Sequence, residues 1–166
     1  MIVVVMGVTG SGKTTIGELL AGRTGAEFAD ADDYHPLANK EKMAAGHPLN
    51  DADREPWLKE LNRLLRRWLE QGKSGVLACS ALKASYRTIL ESGLPHGALT
   101  FVLLDGSKEL IAQRLAARHH EYMNPKLLDS QLATLEMPHD ALRIVNDRTP
   151  NEVVNQILTH LSPVRS

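Results

Sequence analysis

An α/β fold, a central parallel sheet covered by helices on both faces, is what this sequence predicts, on three observations. Short β-branched or apolar runs alternate with longer helical patterns, the order that parallel βαβ units impose. The chain opens on MIVVVM, an uncharged run that reads as a buried strand. That run leads into GVTGSGKT, a glycine-rich turn, and then into the helical pattern TTIGELLAGRTG.

Taken in order, five strands are expected at residues 2–6 (IVVVM), 27–30 (EFAD), 75–79 (GVLAC), 99–104 (LTFVLL) and 142–145 (LRIV). Helices are expected at 14–23, 57–71, 83–91, 108–118, 126–135 and 151–161. Right-handed crossovers place the carboxyl end of every parallel strand, and the loop after it, along one edge of the sheet. No internal repeat, low-complexity tract or linker divides the 166 residues, so a single domain over 1–166 with a substantial core is expected.

Nineteen Lys and Arg against twenty Asp and Glu leave a net charge of −1, no electrostatic footprint for nucleic acid or an anionic membrane. The longest apolar run is far short of a membrane span, and MIVVVM lacks the basic flank and length of a signal peptide. The single cysteine, Cys79, cannot form an internal disulfide, which fits a reducing compartment. A cytoplasmic protein is expected.

GVTGSGKT, residues 7–14, fits the G-x-x-x-x-G-K-[ST] pattern of a phosphate-binding loop. Gly7, Gly10 and Gly12 let the backbone turn tightly and bring its N–H groups against phosphate oxygens. Val8, Thr9, Ser11 and Thr15 complete the nucleotide-binding segment. The helix that starts near Lys13 adds its positive N-terminal end. Lys13 is placed to bridge the β- and γ-phosphates, and Thr14 to give a hydroxyl to Mg²⁺. ATP and Mg²⁺ are therefore the expected cofactors of a P-loop NTPase fold. The plainer alternative is a turn that merely joins strand to helix; the strand before and the helix after count against it.

Many such proteins hold the metal with an aspartate at the end of another strand. GVLACS ends without an acid, and the carboxylates come instead in FADADDYHP. In an extended segment Asp30 and Asp32 point the same way, so one can serve the metal while the other accepts a proton from an attacking hydroxyl. A solvated acidic turn, or a cap for a helix near Pro36, is the competing reading.

The next segment, HPLANKEKMAAGHPLNDADREPWL, mixes His35, Lys42, Asp51, Asp53 and Arg54 with turn residues. Pro48 and Pro56 bracket LNDADRE, which predicts a shaped loop between two helices. In CSALKASYR, Lys83 and Arg87 are four apart on one helical face. Arg54, Lys83 and Arg87 thus offer three cations to the phosphate edge, which suits a small hydroxylated acid as acceptor. Surface ion pairing is the alternative for each. Tyr86 and Trp57 read as packing residues.

Further on, ELIAQRLAARHHEYMNPKLLDSQLATLEMP holds Arg114 and Arg118 one turn apart, then a polar break and a second helix. Residues 114–131 so form a candidate lid whose closure over ATP excludes water. Arg118 can neutralise charge on the transferring phosphoryl group, and Arg114 can stack on adenine or pair with a phosphate. A solvated basic face is the alternative. His119 and His120 point to different sides of a helix and make a poor metal pair.

These stretches together resemble the gluconokinase family, the thermoresistant gluconate kinases. The matching blocks are GVTGSGKTT, ADADDYHPLANKEKMAAGHPLNDADREPWL, CSALKASYR, FVLLDG and RLAARHHEYMNPKLLDSQLATLE. The middle block is the specific one, because its H-P…N…K-M…G-x-P-L-x-D-x-D-R-x-P-W pattern is not general to P-loop proteins. The resemblance implies transfer of the ATP γ-phosphate to the 6-hydroxyl of D-gluconate, on a fold like the shikimate and nucleoside monophosphate kinases. It makes Asp32 the acceptor-side carboxylate and base, and it puts Asp30 nearer the magnesium. His35, Arg54, Lys83 and Arg87 would line the acceptor pocket, with residues 33–58 as the main acceptor segment. Arg114 and Arg118 become the nucleotide and lid arginines. Family members are often dimers, so a homodimer is an expectation of the resemblance alone. In the lid the family reads R-x-x-H-F-M, whereas this chain has RHHEYM with Glu121 at the histidine position. Either His120 substitutes with a one-residue change of register, or the position is dispensable.

Two rivals were weighed. Chains that resemble shikimate kinases show a glycine triplet after the third strand, where this one reads CSALK. A guanine-reading switch carries N-K-x-D near a late strand, and NKEK at 39–42 is early and lacks the aspartate.

Overall fold

The computed structural model describes residues 1–117 and 125–161. Its five strands are β1 (Ile2–Met6), β2 (Glu27–Asp30), β3 (Gly75–Ala78), β4 (Leu99–Asp105) and β5 (Leu142–Val145). They form one sheet in the order β2-β3-β1-β4-β5, every neighbouring pair parallel. The helices are α1 (Lys13–Thr24), α2 (Leu37–Ala44), α3 (Asp51–Glu70), α4 (Ala84–Glu91), α5 (Lys108–Ala117), α6 (Pro125–Thr134) and α7 (Pro150–Leu161).

Why β1 reads as an uninterrupted apolar run is plain from its place at the centre of the sheet. Alternate residues feed opposite layers. Val4 and Met6 pack with Leu58, Leu61 and Leu65 of α3 and Leu90 of α4, while Val3 and Val5 pack with Ile16 and Leu20 of α1 and Val153 and Ile157 of α7. Each such fully buried Leu or Ile contributes about 1.5–3 kcal/mol. A third cluster joins Val8 and Leu82, in the loops after β1 and β3, to Ile111, Leu115 and Leu128 of α5 and α6. Helices α5 and α6 therefore sit directly on the loops after β1 and β3.

The chain leaves β1 for the edge strand β2, returns through β3, and then crosses to β4 on the other side of β1. That reversal opens a crevice at the carboxyl ends of the central strands, the usual ligand position in open α/β sheets. Among the described residues no helix is long and apolar enough to cross a membrane.

Two elements differ from expectation, the additional helix α2 and the start of α3. DADREP is the start of α3, not a loop between Pro48 and Pro56. Asn50 and Asp53 form a capping box: the Asp53 N–H donates to the Asn50 side chain at 2.8 Å, and the Asn50 N–H donates to the Asp53 carboxylate at 2.9 Å. Two otherwise orphaned donors are satisfied, so the helix begins at Asp51. Pro56 then removes a single hydrogen bond, leaving the Ala52 carbonyl without its helical donor at an exposed position. The short helix α2 occupies most of the remaining segment.

Candidate active site

The phosphate loop wraps residues 7–12 between β1 and α1, and two glycines show how tightly. Gly12 has φ 97°, and a Cβ there would lie 2.5 Å from Asn146 Nδ2. Gly7 has φ 148°, and a Cβ there would lie 2.8 Å from the Leu104 carbonyl oxygen. Buried Asn146, just past β5, supports the loop from below by donating to the Ser11 carbonyl at 2.7 Å. The Asn146 carbonyl in turn accepts from Arg114 of α5. Lys13 Nζ donates to the carbonyls of Gly7 and Val8, each at 3.0 Å. The Val8 side chain belongs to the core, so this residue offers only its backbone to a phosphate. Thr15 is exposed on the first turn of α1. Gln131 of α6 accepts from the Thr9 N–H at 2.6 Å, which ties the lid-side helix to the loop.

A cavity of about 260 Å³ opens at the ends of β1, β2 and β3, lined among others by Lys13, Thr14, Asp30, Asp32, Ser80 and Gln131. The Thr14 hydroxyl donates to Asp30 Oδ2 at 3.0 Å. A hydroxyl beside one carboxylate fits Mg²⁺, which takes few protein oxygens and completes its shell with water and phosphates. Asp30 Oδ1 accepts from the Asp32 N–H at 3.0 Å, capping a 3₁₀ turn over Ala31–Tyr34. The extended geometry expected for Asp30 and Asp32 thus stops at Asp30, because the cap turns the chain there. Both carboxylates nevertheless line the same cavity.

Asp32 reaches solvent at the cavity mouth, yet protein crowds its other sides. That desolvation first, and then the charge of Asp30, raise its pKa above the usual aspartate value, against the pull of Lys13 and His35. A raised pKa makes Asp32 a stronger proton acceptor when ionised. Cys79 also lines the cavity, but burial pushes its thiol up to about 12, so it stays protonated at neutral pH.

Lys83 stands at the N-cap position of α4 and pairs with Asp51 at 3.0 Å. The Tyr86 hydroxyl donates to Asp51 at 2.5 Å and accepts from Arg54 at 3.2 Å. Lys83 Nζ and the Arg54 guanidinium lie 5.5 and 5.8 Å from the Tyr86 ring centre. Tyr86 is therefore the polar hub of this cluster rather than packing alone. Trp57 is buried in the core as expected, and its ring stacks on His35 with centres 4.2 Å apart. Burial first, then the charges of Arg54 and Lys40, lower the His35 pKa, while Asp32 raises it. Arg54 so connects His35 with the Tyr86 cluster.

Arg87 departs from expectation. Its guanidinium is buried and donates to the carbonyls of Ala81 at 2.7 Å, Leu82 at 3.3 Å and Glu136 at 2.9 Å. The physical reason is that α4 starts at Ala84, so Lys83 precedes the helix and the two cations share no helical face. Arg87 instead braces a turn in which Ala81 holds φ 46°, an uncommon conformation for a residue with a side chain. Arg118, His119, His120 and Glu121 lie outside the described residues.

These contacts bring Lys13, Thr14, Asp30 and Asp32 into one cavity, while His35 links Asp32 to Arg54, and Arg54 and Lys83 meet at Tyr86. Asn39, Gln131 and Asn146 were not singled out from the sequence. Each acts through a contact with a residue distant in sequence or with backbone, and no local pattern announces that.

The family model described as shikimate kinase matches residues 9–162. A probable gluconokinase of Dictyostelium discoideum is 43% identical over 97% of this chain and 86% of that protein. The gluconokinase of Gluconobacter oxydans is 45% identical over 95% of this chain and 89% of that protein. The chain belongs to the gluconokinase family. In structure, this family member resembles the crystal structure of a gluconokinase from Sinorhizobium meliloti, with a TM-score of 0.83 and 40% identity. That likeness covers 95% of this chain and 89% of the other.

Proposed function

We propose that this gluconokinase-family chain transfers the γ-phosphoryl group of ATP to the 6-hydroxyl of D-gluconate, yielding 6-phospho-D-gluconate and ADP. The observation that carries it is a single cavity joining the phosphate loop to Asp32, whose charge acts on His35 together with Arg54 of the Arg54–Tyr86–Lys83 cluster. Lys13 and the loop N–H groups hold the donor phosphates. Thr14 and Asp30 would hold Mg²⁺, which when bound would supply charge neutralisation on the phosphate oxygens. Asp32 accepts the proton of the attacking hydroxyl as the new P–O bond forms. Arg54 and Lys83 take the acceptor's carboxylate, an arginine pairing with it bidentately and a lysine adding a point charge. Arg114 serves the nucleotide side and Arg118 the closing lid. The setting is the cytoplasm, with a small-molecule acceptor, no nucleic acid or membrane partner, and a homodimer as the assembly.

The test is the position of the transferred group. Phosphorus and carbon NMR of the product from Mg-ATP and D-gluconate should place phosphate on the C6 oxygen. Phosphate on another hydroxyl, or none transferred, would overturn the assignment.

A further inference from the structure

Asn39 of α2 is 5% exposed, and the steps above do not use it. Its side-chain nitrogen carries two protons and faces two partners, the Asp53 carbonyl at 2.9 Å and His35 Nδ1 at 3.2 Å. A backbone carbonyl can only accept, so Asp53 decides which end of the amide is NH₂. The flipped amide would set oxygen against oxygen in a buried place, at the cost of an unmade hydrogen bond. The second Asn39 proton then meets His35 Nδ1, which must accept it. A neutral imidazole that accepts at Nδ1 carries its own proton on Nε2.

We infer that Asn39 is a positioning residue that locks His35 in its Nε2–H tautomer, so the ring offers a hydrogen-bond donor to an oxygen of the acceptor. The surroundings hold the ring in place. Trp57 stacks on it with planes 16° apart, and Trp57 is itself fixed by its Nε1–H donating to the Ala31 carbonyl at 2.7 Å. Asp53, which orients Asn39, is held by Lys42 at 2.5 Å and by the Asn50 N–H. The charged groups acting on the ring are Asp32 from the 3₁₀ turn, Lys40 from α2 and Arg54 from α3. The two cations, together with burial, favour the neutral ring that the tautomer requires.

The polarity has a chemical consequence. His35 follows Asp32 by three residues across the 3₁₀ turn, a spacing that brings side chains to the same side. An acceptor hydroxyl there has its oxygen met by Nε2–H while its proton is directed to Asp32. The acceptor contact rests on the function proposed above; the tautomer does not.

Long-range proton–nitrogen NMR of ¹⁵N-histidine-labelled protein reads the tautomer directly, with His35→Gln identifying the signals. Native His35 should show an unprotonated Nδ1 and a protonated Nε2, and Asn39→Ala should convert it to a tautomer mixture. A native proton on Nδ1, or no change in Asn39→Ala, overturns the inference. Should Asn39→Ala fail to fold, the native spectrum still decides, and a pair of ring substitutions tests the donor. His35→Gln keeps an N–H donor, whereas His35→Met has a similar length and none. KM for gluconate should be about tenfold higher in His35→Met than in His35→Gln, with KM for ATP alike. Equal gluconate KM values would overturn the donor role. If native protein failed to turn over gluconate at all, the proposed function would fall while the tautomer spectrum stood.

Discussion

Asp32 at the cavity mouth is crowded by protein and faces Asp30, a setting that stabilises its neutral form relative to an ordinary aspartate. The same setting that makes it a better base therefore works against the folded state wherever it is ionised. Because its folded pKa is raised, the stability penalty is present above that pKa and fades as pH falls towards the unfolded value. Asp32→Asn should lower kcat by about 10²–10⁴-fold, the usual worth of a general base, while ATP affinity holds. It should also melt modestly higher than the native protein at pH 8, with the difference vanishing in acid. A collapse of ATP binding would move Asp32 into the metal site in place of Asp30. The placement of Lys13, Thr14 and Asp30 in one cavity was legible because it follows from a local motif and its strand context. Arg87 was not: whether an i, i+4 pair shares a face depends on where the helix starts, and α4 starts one residue after Lys83.

At the level of elements, α3 and the turn after β3 carry the residues proposed to bind the acceptor. Asn50→Ala removes half of the capping box and should cost about 1 kcal/mol in urea unfolding. No change in midpoint would mean that Trp57 and the leucines of α3 hold the helix start unaided. Arg87→Met is a harsher test, since it strands the carbonyls of Ala81, Leu82 and Glu136 that now share its guanidinium. It should destabilise the fold by about 1–3 kcal/mol, and Arg87→Lys should rescue it poorly because an ammonium cannot span the same fork. An unchanged melting temperature in Arg87→Met would return Arg87 to the pocket. The inner strands β1 and β3 were readable because a buried parallel strand tolerates almost no polar residue, as in IVVVM. The start of α3 was misread because Pro56 signals a break, whereas the capping box six residues earlier satisfies enough backbone to outweigh one lost hydrogen bond.

At the scale of the whole molecule, the parallel order β2-β3-β1-β4-β5 brings the phosphate loop, Asp30 and Asp32 to one edge. Alternation of strands and helices was enough to anticipate that edge, since right-handed crossovers leave few topologies. It could not show that α6 reaches back to the loop through Gln131, or that Asn146 props Ser11, because long-range contacts leave no period in the sequence. On the proposed function, this edge delivers phosphate to gluconate rather than to a chemically similar acceptor. A coupled ADP-release assay at fixed Mg-ATP, run across D-gluconate, shikimate, glycerate and nucleoside monophosphates, measures it most directly. The arrangement of Asp32, Arg54 and Lys83 predicts kcat/KM for gluconate well above every other acceptor; equal rates across the panel, or a preference for shikimate, would contradict it.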